Sequence, residues 1–296
     1  MSREKQQFYR ATARYHEASC RIYGADAVVH LENDNDRWFW DQVLQTFRPG
    51  RYRYIGASMT PSGHLTSGCG ICLRYRRWLS RRFFVCIDSD LRHLLGRENI
   101  SAAKGILQTY TYSWENHALY ARKLQADYNR RRHAPPFDFA AFMRRYSDIV
   151  YEPLLLMLHS EQTHSGAYTA RQFNAAITMT EQRGDEANNG RRFLARLAAQ
   201  LQPARDILAR QRARGLDLAA EARRYARRGL THTTAYLYVR GHCIYNALRY
   251  MGHRLIGDAF DTILARDLLL DGYDAAERLR ADVALLDTMP ARSRRK

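Results

Sequence analysis

The chain has 296 residues, 46% apolar and 11% aromatic, enough for the core of one large or two modest domains. Lys and Arg outnumber Asp and Glu by 47 to 30, a formal charge of +17, which favours nucleic acid as a partner and, second to it, an anionic membrane surface. No stretch approaches the roughly 18 apolar residues of a membrane span, and Met1–Lys5 leads into polar sequence rather than an apolar signal core, so a cytoplasmic chain without a membrane partner is expected.

In chain order, residues 26–32 read as a buried strand ending in Glu32. Asp34 or Asn35 is expected to cap a helix carrying Trp40, Val43, Leu44 and Phe47 at helical spacing, which Pro49-Gly50 ends. A short strand over 52–57, a Gly-rich loop over 61–70 and a short basic helix over 71–79 follow. The apolar run Phe83–Ile87 then reads as a second buried strand, ending in Asp88-Ser89-Asp90. A third, over 106–112, precedes Ser113, expected to cap a helix that begins Trp114-Glu115-Asn116. Strands alternating with helices imply a mostly parallel sheet with right-handed crossovers. After Pro135-Pro136 the chain reads as helical: 139–160, 170–179, 191–214, 218–228, 234–251 and 259–270. The expectation is an α/β domain over 1–130 and an all-helical domain over 131–296 packed on it.

Charge is uneven. Between Arg191 and Arg228 stand eleven arginines against three acids, a net +8, and Arg292–Lys296 adds four more cations. A solvated helical surface is the plain reading, but the local imbalance points to a phosphate-facing one, with Arg223, Arg224, Arg227 and Arg228 as its nucleic-acid-binding residues. Five cysteines without a secretion signal read as free thiols. Cys69-Gly-Ile-Cys72 has metal-ligand spacing with His64 upstream, yet lacks the remaining ligands of a structural zinc site.

An apolar strand that stops at carboxylates suits a parallel sheet whose carboxyl edge opens on a crevice, where open α/β sheets bind ligands. Glu32 with Asp88 and Asp90 makes a hard, oxygen-rich site suited to Mg²⁺ or Mn²⁺. Each has a plain alternative as a strand-end surface carboxylate. Asp34 and Asp36 can simply complement a helix dipole. Among the histidines, His117 stands nearest Glu115 in sequence, but none is assigned a role.

Glu32-x-x-x-Asp36 followed by Ile87-Asp88-Ser89-Asp90 resembles the Toprim domain of topoisomerases, primases and OLD-type nucleases. Tyr110–Asn116, with an acidic-Asn pair opening a helix, narrows the resemblance to the Toprim-like domain-of-unknown-function family that includes AriB, the effector of the PARIS phage-defence system. Arg240-Gly241-His242 resembles that family's C-terminal region. The resemblance covers most of the chain and is strongest over 26–117. It implies a Toprim/Rossmann-like sheet, Glu32 in proton transfer or metal binding, Asp88 and Asp90 chelating Mg²⁺, Glu115 completing the metal shell, and Asp36 in support. The family often has Gly after the glutamate where this chain has Asn33, a residue that also tolerates left-handed backbone.

The expected function is therefore metal-dependent cleavage of RNA, tRNA among the candidates, or of DNA. The resemblance implies a role in anti-phage defence with an ABC/SMC-like ATPase partner; a homo-oligomer is left open. The alternatives are a degenerate Toprim module that binds nucleic acid or a partner without catalysis, and a metal-dependent glycosyltransferase. The last gives no role to Glu32 or to the arginine belt.

Overall fold

The structure is a computed structural model that describes residues 2–96 and 99–289; the basic tail Arg292–Lys296 lies outside them. Its elements in chain order are α1 (Arg3–Ile22), β1 (Ala27–Leu31), α2 (Arg37–Phe47), β2 (Tyr52–Ile55), β3 (Ser58–Met59), β4 (Leu65–Thr66), α3 (Cys69–Cys72), β5 (Phe83–Ile87), α4 (Arg92–Leu95) and β6 (Ile106–Gln108). Helices follow: α5 (Trp114–Ala118), α6 (Ala121–Asn129), α7 (Phe139–Thr163), α8 (Ala170–Ile177), α9 (Ala187–Gln200), α10 (Gln202–Ala213), α11 (Leu218–Ala226), α12 (Gly241–Ile256), α13 (Ala259–Leu264) and α14 (Asp274–Leu285). The fold class is as the sequence implies: a parallel sheet flanked by helices, with a helical C-terminal region. Among the described residues no helix is long and apolar enough to cross a membrane.

Two compact units divide the chain. The first holds the described residues of Met1–Ser89, Arg97–Tyr110 and Leu270–Lys296; the second holds Asp90–Gly96 and Thr111–Leu269. The single boundary expected near residue 130 is thus replaced by several crossings. The reason lies in α14, whose Ala275, Ala276, Leu279 and Val283 are buried and which packs on α2 and β6 of the first unit.

In the first unit the sheet order is β2-β1-β5-β6, all parallel. Period-2 alternation sends Val28, Phe83, Val85, Ile87 and Ile106 to one face, where they pack with Tyr9, Ala13 and Cys20 of α1 and with Ile71, Cys72 and Tyr75. Val29, Leu31, Phe84, Cys86 and Leu107 fill the other face and are equally buried. Burial on both faces explains why β1 and β5 read as unbroken apolar runs. The expected loop over 61–70 contains half of a small antiparallel hairpin, β3 with β4. The strand expected over 106–112 stops at Gln108, and Tyr110 is left-handed (φ 64°). The long amphipathic α1 has no counterpart among the elements read from sequence.

The second unit is built on α7, whose Phe142, Met143, Tyr146, Val150 and Leu154–Leu158 are buried. α6, α8, α9, α10 and α11 pack around it. The helix expected over 191–214 is two, α9 and α10, and the one expected from 234 begins only at Gly241, after a 3-10 turn at Ala235–Leu237.

Candidate active site at the carboxyl edge of the sheet

From β1 the chain winds through α2 to β2 on one side, then returns across β1 to β5 on the other. The switch point between β1 and β5 is where an open parallel sheet leaves a crevice at its carboxyl edge. Glu32 and Asp88 are the first residues beyond those two strands. They are brought together: the Asp88 amide donates to Glu32 Oε2 at 3.2 Å.

The backbone around Glu32 is fixed from several directions. Its carbonyl accepts from the Gly68 amide at 2.8 Å. Directly after it, Asn33 and Asp36 form a reciprocal cap: Asn33 Oδ1 accepts from the Asn35 amide (3.0 Å), and Asp36 Oδ2 accepts from the Asn33 amide (2.9 Å). Asn33, not Asp34 or Asn35, is therefore the capping residue. Its φ of −146° is extended, so the position needs no glycine and Asn33 costs the turn nothing. Asp36 is buried and supports the segment after Glu32 through that bond.

Beneath Glu32 lies a buried chain of polar side chains. The Leu31 carbonyl can only accept, so His30 Nδ1, 2.9 Å away, carries the proton. Nε2 then accepts from Ser58 Oγ (2.9 Å), which in turn accepts from the Tyr75 hydroxyl (3.0 Å). Burial lowers the pKa of His30, consistent with this neutral form. The Cys72 thiol donates to the same Leu31 carbonyl at 3.2 Å. Burial pushes that thiol far up, and the charges of Glu32, Cys69 and Asp36 add to the effect. Cys72 is thus a protonated packing group. A single polar residue in an otherwise apolar strand is the signal for such a network, because a buried imidazole needs partners.

Asp90 and Glu115 belong to the second unit. Asp90 has φ 47°, so the extended geometry that would align it with Asp88 does not persist. Its carboxylate pairs with Arg92 at 2.7 Å. Ser113 caps α5 as expected, in a reciprocal box with Asn116. Glu115 is buried, with Oε1 2.6 Å from His242 Nδ1 and Oε2 without a hydrogen-bond partner. His117 is buried in α5.

Glu32 and Asp88 supply hard oxygen donors, and Mg²⁺ is commonly held by one or two carboxylates while waters and substrate phosphates complete its shell. The pair fits a Mg²⁺ shared with substrate. It does not make a closed cage: among the described residues no group of three or more His, Cys, Asp or Glu side chains is arranged to hold a metal.

The four arginines singled out in the second unit differ in their surroundings. Arg223 is exposed, with Asp217 at 3.9 Å, and Arg224 lies over the Tyr225 ring. Arg227 is exposed at the end of α11. Arg228 is turned inward, donating to the carbonyls of His93 (3.0 Å) and Leu94 at the end of α4. Elsewhere in the belt Arg196 pairs with buried Asp185 (2.6 Å) and Arg212 with Glu152 (2.7 Å). Compared with protein-family models, curated proteins and solved structures, the chain finds no match in any of the three.

Proposed function

We propose that the protein is a Toprim-type, metal-dependent nuclease that hydrolyses phosphodiesters of RNA, tRNA among them, or of DNA at the switch point of its first unit. The observation that carries this reading is the convergence of Glu32 and Asp88 at the ends of the two strands where the winding reverses. Anti-phage defence and an ABC/SMC-like ATPase partner rest on the sequence resemblance. Glu32 exchanges a proton with the attacking water or the departing oxygen, and the Asp88 amide orients its carboxylate. Mg²⁺ held by Glu32 and Asp88 would neutralise charge on the phosphoryl oxygens.

Glu32→Gln keeps shape and removes proton transfer; Asp88→Ala removes a donor. Both are expected to keep the fold and to lose about 10²–10⁴-fold in metal-dependent cleavage of labelled RNA or DNA. Full turnover by Glu32→Gln would refute the assignment. One observation favours the non-catalytic module: Asp90 and Glu115 already engage Arg92 and His242. That reading predicts nucleic-acid or partner binding with no cleavage at any Mg²⁺ or Mn²⁺ concentration.

A further inference from the structure

The first unit carries a cleft of about 370 Å³ lined by Gln6 of α1, Gly70 of α3, and Leu73, Arg74, Arg76 and Arg77 of the segment that follows. All three arginines are exposed, and among the described residues no carboxylate lines the cleft. A second cleft of similar size in the same unit, about 360 Å³, has Asp26 and Asp287 among its walls. There Arg48 pairs with Asp287 at 2.9 Å, so acid and base share one wall. The described lining of the first cleft is by contrast cationic and neutral. Three guanidinium groups gathered on one short segment repel one another, and an anion seated among them relieves that repulsion.

The wall is also held in place. Tyr75, between Arg74 and Arg76, is fully buried. Its ring meets Tyr9 (5.2 Å between centroids) and Phe83 (5.3 Å) edge-on, and its hydroxyl bonds Ser58. The Trp78 amide donates to the Tyr75 carbonyl at 2.7 Å. Because Tyr75 is fixed, the backbone carrying the arginines is set before any ligand arrives, which lowers the ordering cost of binding. Guanidinium forks match the spacing of phosphate oxygens and can bind them in pairs. The volume is at the lower end of the roughly 300–1,000 Å³ typical of small-molecule sites.

We propose that this cleft is a phosphate-binding site that takes the tetrahedral oxyanions of a nucleic-acid backbone or of a free nucleotide polyphosphate. Its ligand chemistry is independent of whether Glu32 and Asp88 cut anything. The segment that forms it is tied to the switch point through the Gly68 amide and the Glu32 carbonyl. A strand phosphate seated in the cleft is therefore held by the same loop that positions the Glu32 backbone.

The second unit has its own arginines, so the test must report on these three directly. The intact chain is treated with an arginine-selective dicarbonyl reagent, and modification at Arg74, Arg76 and Arg77 is read by peptide mass spectrometry. The probes are a short single-stranded oligonucleotide, inorganic tripolyphosphate, and poly-glutamate as a non-phosphate polyanion. The oligonucleotide or tripolyphosphate is expected to protect all three arginines, and poly-glutamate to protect none. Protection at lower concentration by the strand assigns the site to nucleic acid; the reverse order assigns it to free polyphosphate. The triple variant Arg74→Gln, Arg76→Gln, Arg77→Gln is expected to lose about tenfold in affinity for the better probe. Where that probe is the strand, its log–log salt slope should shrink by about 0.7 for each phosphate no longer neutralised. The conservative triple lysine variant, which keeps charge but not the fork, should fall between the two. Equal modification with and without phosphate probes, equal protection by poly-glutamate, or an unchanged affinity in the glutamine variant would each overturn the proposal. None of these outcomes requires cleavage, so failure here is separable from failure of the nuclease reading.

Discussion

His16, on the inner face of α1, stacks on Phe83 with ring centroids 5.0 Å apart, and its Nδ1 is buried without a hydrogen-bond partner. Burial, with help from the nearby positive charge of Arg53, pushes its pKa down to about 4. In the unfolded chain the imidazole titrates near 6.5, so between about pH 6.5 and 4 the unfolded state binds more protons and stability falls as pH falls. The expected loss is at most about 3.5 kcal/mol, because a shift of one unit is worth about 1.4 kcal/mol. Replacing His16 with Phe keeps a ring against Phe83 and removes the titration. Urea unfolding at pH 7 and at pH 4.5 should show a smaller acid loss in His16→Phe than in the wild type; equal losses would place the acid sensitivity elsewhere. A different constraint acts at Gly241. A Cβ there would fall on Ser113 Oγ and within 2.9 Å of Glu115 Oε2, in a cluster where Ser113 is half of a helix cap. Gly241→Ala should destabilise the protein by about 1–3 kcal/mol, as overpacking does, measured by the same denaturation. Nothing in the residues Arg240-Gly241-His242 announces that contact, since Ser113 and Glu115 lie far away in sequence.

At the level of elements, β1 and β5 are legible in the sequence because burial on both faces leaves continuous apolar runs that stop sharply at Glu32 and Asp88. The Ser113 cap is legible for a related reason: its partner Asn116 stands three residues away, and the motif is local. Asn33 and Asp36 have the same spacing, yet the sequence pattern puts the cap one or two residues late. The helix there opens with a 3-10 turn, Asp34–Asp36, before α2 proper begins, and 3-10 turns carry no strong periodic signal. Helix α1 escapes a reading by periodicity because its apolar stripe is narrow: of its 20 residues only Tyr9, Ala13, Ser19 and Cys20 are buried. The Asn33–Asp36 cap makes a prediction of its own. Asp36→Ala removes one of its two bonds and should cost about 1 kcal/mol, within the roughly 0.5–2 kcal/mol typical of a missing cap. The loss should appear as a shift in urea midpoint with an unchanged slope.

For the whole molecule, the +17 charge is evident from composition, but its distribution over function is not. An arginine that donates to a neighbouring carbonyl looks, in sequence, the same as one that faces solvent. Arg223 and Arg227 lie one turn apart and are exposed, whereas Arg228 closes the end of α4. Charge reversal of Arg223 and Arg227 together should weaken nucleic-acid binding alike across sequences and lower the salt slope, by about 0.7–0.9 for each phosphate no longer neutralised. Arg228→Ala should instead lower stability, seen as a reduced melting temperature with binding of the folded protein little changed. An unchanged slope in the first variant would mean that this face is merely solvated. The division into units is the least legible feature, because helix patterns are the same whichever core a helix joins, and α14 returns to the sheet through packing on α2 and β6. That return has a consequence for how the protein is made. On the ribosome Glu32 and Asp88 emerge early, but the helix that completes their unit emerges only after about 160 residues of the other unit. At about 5–20 residues per second, that is a delay of roughly 8 to 30 seconds. A half-synthesised chain therefore presents Glu32 and Asp88 on a scaffold whose core still lacks α14.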